Sequence, residues 1–174
     1  MAAALYRVRQ GLRALFAFAY PVDYAQVERF LSPALLAHFR AMRHSEQLHS
    51  LRVLEAVRHG GDLTSGLAVA ALLHDVGKSR YPMSLWQRTL PVLVKRFLPQ
   101  IFARLSAGDP TRRWQRGFVV YAHHPAWSAD IIAENDGPAD AVWLAAHHAD
   151  DPAQWREHPL YEQLCRLQAA DDSE

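Results

Sequence analysis

The chain contains a single cysteine, Cys165, among its 174 residues. It therefore forms no disulfide bond within itself and cannot build a zinc site from several thiolates. It also lacks any run of about 18 uncharged apolar residues, so the usual pattern of a membrane-spanning helix is missing. A lone cysteine suits a reducing compartment, and we expect a cytoplasmic protein.

Strand signals and net charge are also weak. Alternation of apolar and polar residues does not persist over more than a few positions, which argues against a sheet. Lysine and arginine together number 19, against 18 aspartates and glutamates, so the overall charge does not indicate a polyanionic partner. We accordingly expect no specific binding to a nucleic-acid duplex.

Helix signals are frequent, because prolines, glycines and capping residues separate one apolar-periodic segment from the next. We predict an all-α fold: a compact single-domain bundle of about eight helices. Residues 1–43 should supply N-terminal helices, the first of them amphipathic, that pack on a core formed by residues 44–174. A helix over residues 83–105 should bend at its prolines, and Pro125 should begin a new helix after one that ends near His123.

Ten histidines are present, and several stand beside another histidine or an aspartate where a predicted helix ends. Buried imidazoles and carboxylates are costly unless they are paired or bound to a cation. Nitrogen and oxygen donors of this kind suit Mn, Fe, Co, Ni or Zn, with Mg as a harder alternative. The pattern therefore predicts a site for one or two divalent metal ions. The histidines and aspartates considered for it are His49, His74, Asp75, His124, His147, His148 and Asp171, with His123 as a neighbour that could orient another ligand.

Five segments resemble the HD-domain superfamily of metal-dependent phosphohydrolases: HSLRV (49–53), LLHDVGK (72–78), HPAWSADII (124–132), HH (147–148) and QAAD (168–171). The resemblance covers about residues 44–172 and implies an all-helical, HD-domain-like fold. That superfamily orders its ligands as His, then His-Asp, then a distal Asp. The resemblance therefore implies that a first metal is held by His49, His74, Asp75 and Asp171.

Two of these segments, HPAWSA and HH, also resemble the extended branch that includes the cyclic-dinucleotide phosphodiesterases. Further histidines bind a second metal there, which implies His124 and His147 as ligands here, with His148 as an additional candidate. The chain departs from that branch after the HH pair, where residues 149–151 read Ala-Asp-Asp and no Gly-Tyr-Pro motif follows. Cleavage of cyclic dinucleotides is therefore not predicted.

The resemblance implies a metal-dependent phosphohydrolase, a phosphatase or phosphodiesterase. Its substrate would be a nucleotide or another small phosphorylated metabolite, cleaved by metal-activated water. Asp75 would bind metal and position that water, while Lys78 and Arg52 would stabilise charge on phosphoryl oxygens. Two alternatives stay open. One is a di-iron oxygenase of the HD type, and the other is a module that binds a metal or nucleotide without turnover.

Residues 84–105 combine large apolar side chains at helical spacing with lysine and arginine. Asp109 is the only acidic residue between Arg80 and Arg116, a span that contains eight basic residues: Arg80, Arg88, Lys95, Arg96, Arg104, Arg112, Arg113 and Arg116. Packing into the core of the same domain is the commoner role of such a segment. The alternative role, which we retain for residues 84–105, is a peripheral contact with a membrane or a homodimer contact.

Overall fold

A computed structural model describes residues 20–173, so the predicted amphipathic first helix lies outside the described residues. Within residues 20–173 the chain forms nine α-helices, two short 3₁₀ turns and no strand, which confirms the all-α prediction. The helices are α1 Tyr24–Val27, α2 Pro33–Ala41, α3 His44–His59, α4 Ser65–Leu73, α5 Leu85–Phe97, α6 Pro99–Ser106, α7 Arg113–Glu134, α8 Ala139–His147 and α9 Tyr161–Ser173. The 3₁₀ turns are Val76–Arg80 and Pro152–Trp155.

Helix α4 is the central element of the fold. Every residue from Gly66 to Leu73 is buried, and the helix packs on α3, α8 and α9. A helix that is apolar on all sides is stable only in the interior of a protein. Thr64 begins the helix by accepting a hydrogen bond from the backbone N–H of Leu67. As a result, α4 delivers His74 and Asp75, which follow its last residue, to the middle of the molecule.

The two helices that precede α3 contribute to the same core. Val27, Leu35 and Phe39 are buried in the apolar cluster that also contains residues of α3, α4, α8 and α9. The division of the chain at residue 43 stays a prediction. None of the described helices combines the length and the apolar character needed to cross a membrane.

The prolines of residues 84–125 act differently from one another. Pro91 lies inside α5, and the predicted bend occurs at Leu98, where α5 ends and Pro99 begins α6. Pro125 does not begin a helix, contrary to the prediction, because α7 continues through it from Arg113 to Glu134.

A side chain explains why α7 continues through Pro125. Proline has no N–H, so the carbonyl four residues earlier, that of Tyr121, loses its normal donor. In this helix the Tyr121 carbonyl oxygen lies 2.9 Å from Nδ1 of His124, which donates in its place. The imidazole thereby replaces the missing backbone donor, and the ring is fixed against the helix.

Candidate metal centre

Histidine and aspartate side chains from α3, α7, α8 and α9 converge on the C-terminal end of α4. They form two groups that share Asp75. In the first, ligand atoms of His49, His74 and Asp75 all lie within 4.8 Å of one another; in the second, those of Asp75, His124 and His148 do. Two ligands of one ion are about 3–4.4 Å apart when each metal bond is about 2.0–2.2 Å long. Both groups are therefore compact enough to hold a cation after small movements.

Asp75 is buried and is approached from several sides. Its Oδ1 lies 3.3 Å from Nε2 of His124 and 3.8 Å from Nε2 of His148. Its Oδ2 lies 2.6 Å from Nζ of Lys78 and 3.7 Å from Nε2 of His74. The two oxygens thus face different histidines, which is the arrangement that a carboxylate bridging two ions requires.

Asp171 completes the first group from the last turn of α9. Its Oδ1 lies 2.8 Å from Nε2 of His49 and 3.5 Å from Nε2 of His74. Helix α9 is held by the burial of Leu167 and by Arg166, whose guanidinium donates to the Val57 carbonyl at 2.6 Å. These contacts fix the position of Asp171 although it lies close to the last residue of the sequence.

Three of the histidines present the same ring nitrogen to Asp75. In each, Nδ1 lies against a carbonyl oxygen one turn earlier in its own helix. The pairs are His74 with Ala71 at 3.1 Å, His124 with Tyr121 at 2.9 Å, and His148 with Ala145 at 2.8 Å. Because a carbonyl only accepts, Nδ1 carries the proton and Nε2 keeps its lone pair in the neutral ring. A second partner of this kind is what orients metal-binding histidines in proteins.

The surroundings of the His74 Nε2 atom indicate whether the residues of the cluster fit a metal ion. It is fully buried and makes no hydrogen bond, and its charged neighbours Asp171 and Asp75 lie at 3.5 and 3.7 Å. A buried polar atom without a partner costs about 1–3 kcal/mol. A cation between this nitrogen and the two carboxylates would remove that cost. Imidazole nitrogen and carboxylate oxygen are also suitable donors for divalent first-row metals, so the site fits the ion that the sequence predicted.

Burial keeps two of the imidazoles neutral. It lowers the pKa of His148 to about 3, and the charges of His74 and His124 act in the same direction. Burial also lowers the pKa of His124, with the ammonium group of Lys78 adding to the effect. Both rings therefore retain a lone pair on Nε2 at neutral pH, as a metal ligand must.

The carboxylates of the site stay ionised in spite of their surroundings. Burial by itself would raise the pKa of Asp75, but Lys78 and His74 outweigh it and hold that pKa well below its usual value. Burial likewise opposes ionisation of Asp171, and the hydrogen bond from His49 together with the nearby His74 imidazole lowers its pKa overall. Two carboxylates thus face one ammonium group, which leaves the centre attractive to a cation.

His74 responds to the same negative charge. Burial lowers its pKa, but attraction by Asp75 and Asp171 is stronger in sum and raises the pKa to about 9. Without a metal, this ring takes up a proton as the cation between the two carboxylates. A divalent ion would replace that proton.

The histidine pair at the end of α8 divides between two environments. Nδ1 of His147 lies 2.7 Å from Oδ2 of Asp150, and its ring packs on Trp143 and Trp155, with centroids 4.7 and 4.2 Å away. Consecutive helical residues point about 100° apart, so His148 turns to a different side and faces Asp75. The structure therefore brings His148 into the cluster and leaves His147 outside both groups.

The two predicted phosphate-binding cations lie beside the cluster. Lys78 is partly buried, and its ammonium group contacts Asp75 at 2.6 Å. Arg52 is also partly buried and follows His49 by three residues on α3, so the two side chains lie on one face of that helix. The roles assigned to Lys78 and Arg52 toward a phosphoryl group stay predictions.

His123 lies apart from the two groups of ligand atoms. Its ring stacks on Trp127, with centroids 5.9 Å apart, and its Nε2 lies 3.1 Å from the Ser106 carbonyl oxygen. On α7, His123 therefore lies at the surface, whereas the next residue, His124, is buried.

Glu46, one turn before His49, was not assigned from the sequence. It is buried, pairs with Arg88 of α5 and accepts a hydrogen bond from the backbone N–H of Arg43 at 3.1 Å. These contacts join α3 to α5 at the edge of the cluster.

Sequence reasoning missed two residues that hold ligand-bearing segments in place. The Ser128 hydroxyl accepts a hydrogen bond from the Gly77 N–H at 2.8 Å, which ties the segment after Asp75 to α7. The Gln168 amide donates to the carbonyls of His148 at 3.1 Å and Asp150 at 2.9 Å. Both residues lie within the segments HPAWSADII and QAAD, but their spacing gave no indication of these partners.

Comparison with known proteins agrees with this geometry. The family model of the HD domain matches residues 48–174, which is most of the chain. No curated protein and no solved structure matches the chain significantly. The matched region contains every residue of the two ligand groups and also Asp171, so the family signal and the structural cluster coincide. The chain therefore belongs to the HD domain family.

Proposed function

We propose that the protein is a metal-dependent phosphohydrolase that cleaves a phosphate ester of a nucleotide or another small phosphorylated metabolite. The observation that carries the proposal is the position of Asp75, a buried and ionised carboxylate shared by two compact groups of ligand atoms. The family itself is one of divalent-metal hydrolases in general, which supports this reaction class.

The residues divide between two ions. His49, His74, Asp75 and Asp171 would hold one, and Asp75 would share a second with the histidines of α7 and α8, namely His124 and His148. Bound ions of this kind lower the pKa of a coordinated water toward about 7 and polarise phosphoryl oxygens.

The remaining polar groups indicate how a substrate would be oriented. His74, His124 and His148 form a buried wall, whereas His49 and Asp171 are partly exposed. A phosphate ester would therefore approach from the side of His49 and Asp171. An ammonium group has three N–H donors, so Lys78 can keep its contact with Asp75 and also donate to a phosphoryl oxygen.

The direct test is a phosphate-release assay on protein purified without chelators and supplemented in turn with Mn²⁺, Fe²⁺, Co²⁺, Ni²⁺, Zn²⁺ or Mg²⁺. The panel should include p-nitrophenyl phosphate, bis(p-nitrophenyl) phosphate and nucleoside mono-, di- and triphosphates, each with and without oxygen. We expect phosphate or alcohol release that needs metal and is unaffected by oxygen. Turnover by the iron form that requires oxygen would indicate an oxygenase instead, and metal binding without any turnover would indicate a binding module.

The adjacent histidines of α8 provide a matched test of the second group. His148→Ala removes a ligand whose nitrogen faces Asp75, so we expect the affinity for the second ion to fall at least about 100-fold. His147→Ala removes a neighbouring imidazole of the same helix end and should retain both ions. The measurement is metal content by elemental analysis after dialysis against graded free metal, with circular dichroism to check folding. Equal metal loss in the two variants would contradict the assignment of His148.

A further inference from the structure

Helices α5 and α6 carry a stripe of large apolar side chains that face outward. Leu85 is 78% exposed, Leu93 is 51% exposed and Phe97 is 73% exposed. The whole set, called the apolar stripe below, is Leu85, Trp86, Leu90, Leu93, Phe97, Leu98 and Ile101. The sequence left open whether residues 84–105 pack in the core. In the described part of the chain, the apolar stripe points away from the core.

The stripe is exposed on a firmly attached helix. Gln87 and Pro91 of α5 are buried on the opposite side, and the Gln87 amide donates to the Arg113 carbonyl of α7 at 2.6 Å. Gly117 of α7 lies so close to the Gln87 backbone carbonyl that a larger residue would overlap with it. Exposure of the stripe is therefore a property of the packed structure, since the buried side of α5 is already committed to α7.

Two arginines border the stripe. Arg96 lies one turn from Leu93, and Arg104 lies one turn from Ile101; both arginines are exposed. Since Asp109 is the only acid between residues 80 and 116, this face combines apolar contact area with an excess of cations.

We propose that the apolar stripe and its arginines dock on the surface of a membrane that contains anionic lipids. Tryptophan, phenylalanine and leucine on one side of a helix, bordered by basic residues, are the composition of helices that lie in the lipid interface. Anionic head groups attract each nearby lysine or arginine, while the apolar side chains enter the acyl boundary. The charge of this face is therefore complementary to that surface.

The same charge argues against two other occupants. A two-fold dimer places the same patch of each copy against the other, so the arginines of both copies would be brought together. Residues 1–19 carry Arg7, Arg9 and Arg13 and no acidic residue, so that segment has the same sign as the face it would cover. An anionic lipid surface is the occupant whose charge matches.

The test uses the full chain and sedimentation with vesicles. Phosphatidylcholine vesicles that contain about one quarter phosphatidylglycerol should bind the protein at least tenfold more strongly than phosphatidylcholine alone. Binding should weaken as salt rises, because ions screen the attraction between exposed charges. Equal binding to both kinds of vesicle at all salt concentrations would overturn the electrostatic part of the proposal.

Variants locate the contact. Replacing both Arg96 and Arg104 with Gln should lower the partition coefficient about 25-fold, because each basic residue near an anionic surface strengthens binding about fivefold. Leu93→Ser combined with Phe97→Ser should lower it at least tenfold. The matched control is Arg29→Gln with Arg58→Gln, which removes two exposed arginines, one in the turn after α1 and one on α3, and should leave binding unchanged.

Three outcomes would overturn the proposal. Full binding in the stripe variants would place the contact elsewhere, for example in residues 1–19. Loss of binding in the control as strong as in the arginine variant would show attraction by net charge alone. A stable dimer by light scattering that the Leu93→Ser, Phe97→Ser variant abolishes, without vesicle binding by the original chain, would assign the stripe to a second copy. Unchanged metal content and circular dichroism will show that each variant is folded.

Discussion

We expect Asp75→Asn to abolish the proposed phosphate release and to remove metal from both groups, while the helix content is retained. The reason is that Asp75 is the one residue common to the two groups of ligand atoms, and an amide supplies neither its negative charge nor a second acceptor oxygen. Loss of the negative charge also leaves the ammonium group of Lys78 without the counter-ion that now lies at 2.6 Å, and that cation would then repel a metal. We expect metal affinity to fall at least about 100-fold.

The measurement combines elemental analysis, phosphate release under saturating Mn²⁺ and circular dichroism. Asp109→Asn is the matched control, because Asp109 is an exposed aspartate in the loop before α7 and should be replaceable without effect. Full turnover by Asp75→Asn would place the reactive centre elsewhere in the molecule.

Gly77→Ala should lower both stability and metal affinity, although residue 77 is not itself a ligand. A methyl group at residue 77 would overlap with the His124 carbonyl oxygen and lie 2.8 Å from the Ser128 backbone nitrogen. Both are backbone atoms of α7, so the helix itself must move away, and the hydrogen bond from Gly77 to Ser128 would weaken. Overpacking of this kind costs about 1–3 kcal/mol. Because α7 also carries a ligand, metal affinity should fall together with stability.

Thermal unfolding followed by circular dichroism checks this expectation. For a chain of this length each 1 kcal/mol lowers Tm by about 2–4 °C, so Tm should fall by about 2–12 °C. Gly60→Ala is the control, since a methyl group there meets its nearest neighbour at an ordinary 3.5 Å and the backbone φ of −80° is open to alanine. Equal Tm values for the Gly77 variant and the original chain would show that the turn after Asp75 adapts without cost.

The sequence predicts the centre of this fold well because two local signals agree there. The run from Gly66 to Leu73 is apolar at every position, and only an interior helix satisfies that composition. The His-Asp pair follows it directly, so burial of the helix dictates burial of the pair. His49 and Asp171 are far apart in the sequence and could be assigned only through the family resemblance. No feature of the sequence around either residue indicates that the two side chains are in contact.

The sequence could not predict the features that depend on how the helices pack against one another. The resemblance implied His147 first and His148 as an additional candidate, but the direction of each side chain depends on where α8 ends and how it is rotated against its neighbours. The amphipathic pattern of α5 shows that one side is apolar, yet the structure buries the side of Gln87 and Pro91 and exposes Leu93 and Phe97. Which side of α5 is buried depends on close backbone contacts such as that of Gly117 with Gln87, and such contacts have no signature in the sequence.

The contact between His124 and the Tyr121 carbonyl has an evolutionary consequence. Exchange of this imidazole for a carboxylate or a thiolate would leave the helix with an open carbonyl, because neither group is a donor when it ligates a metal. Pro125 would then become a defect in α7 and would have to be replaced in the same lineage. Positions 124 and 125 should consequently covary among descendants, with proline retained only where histidine precedes it.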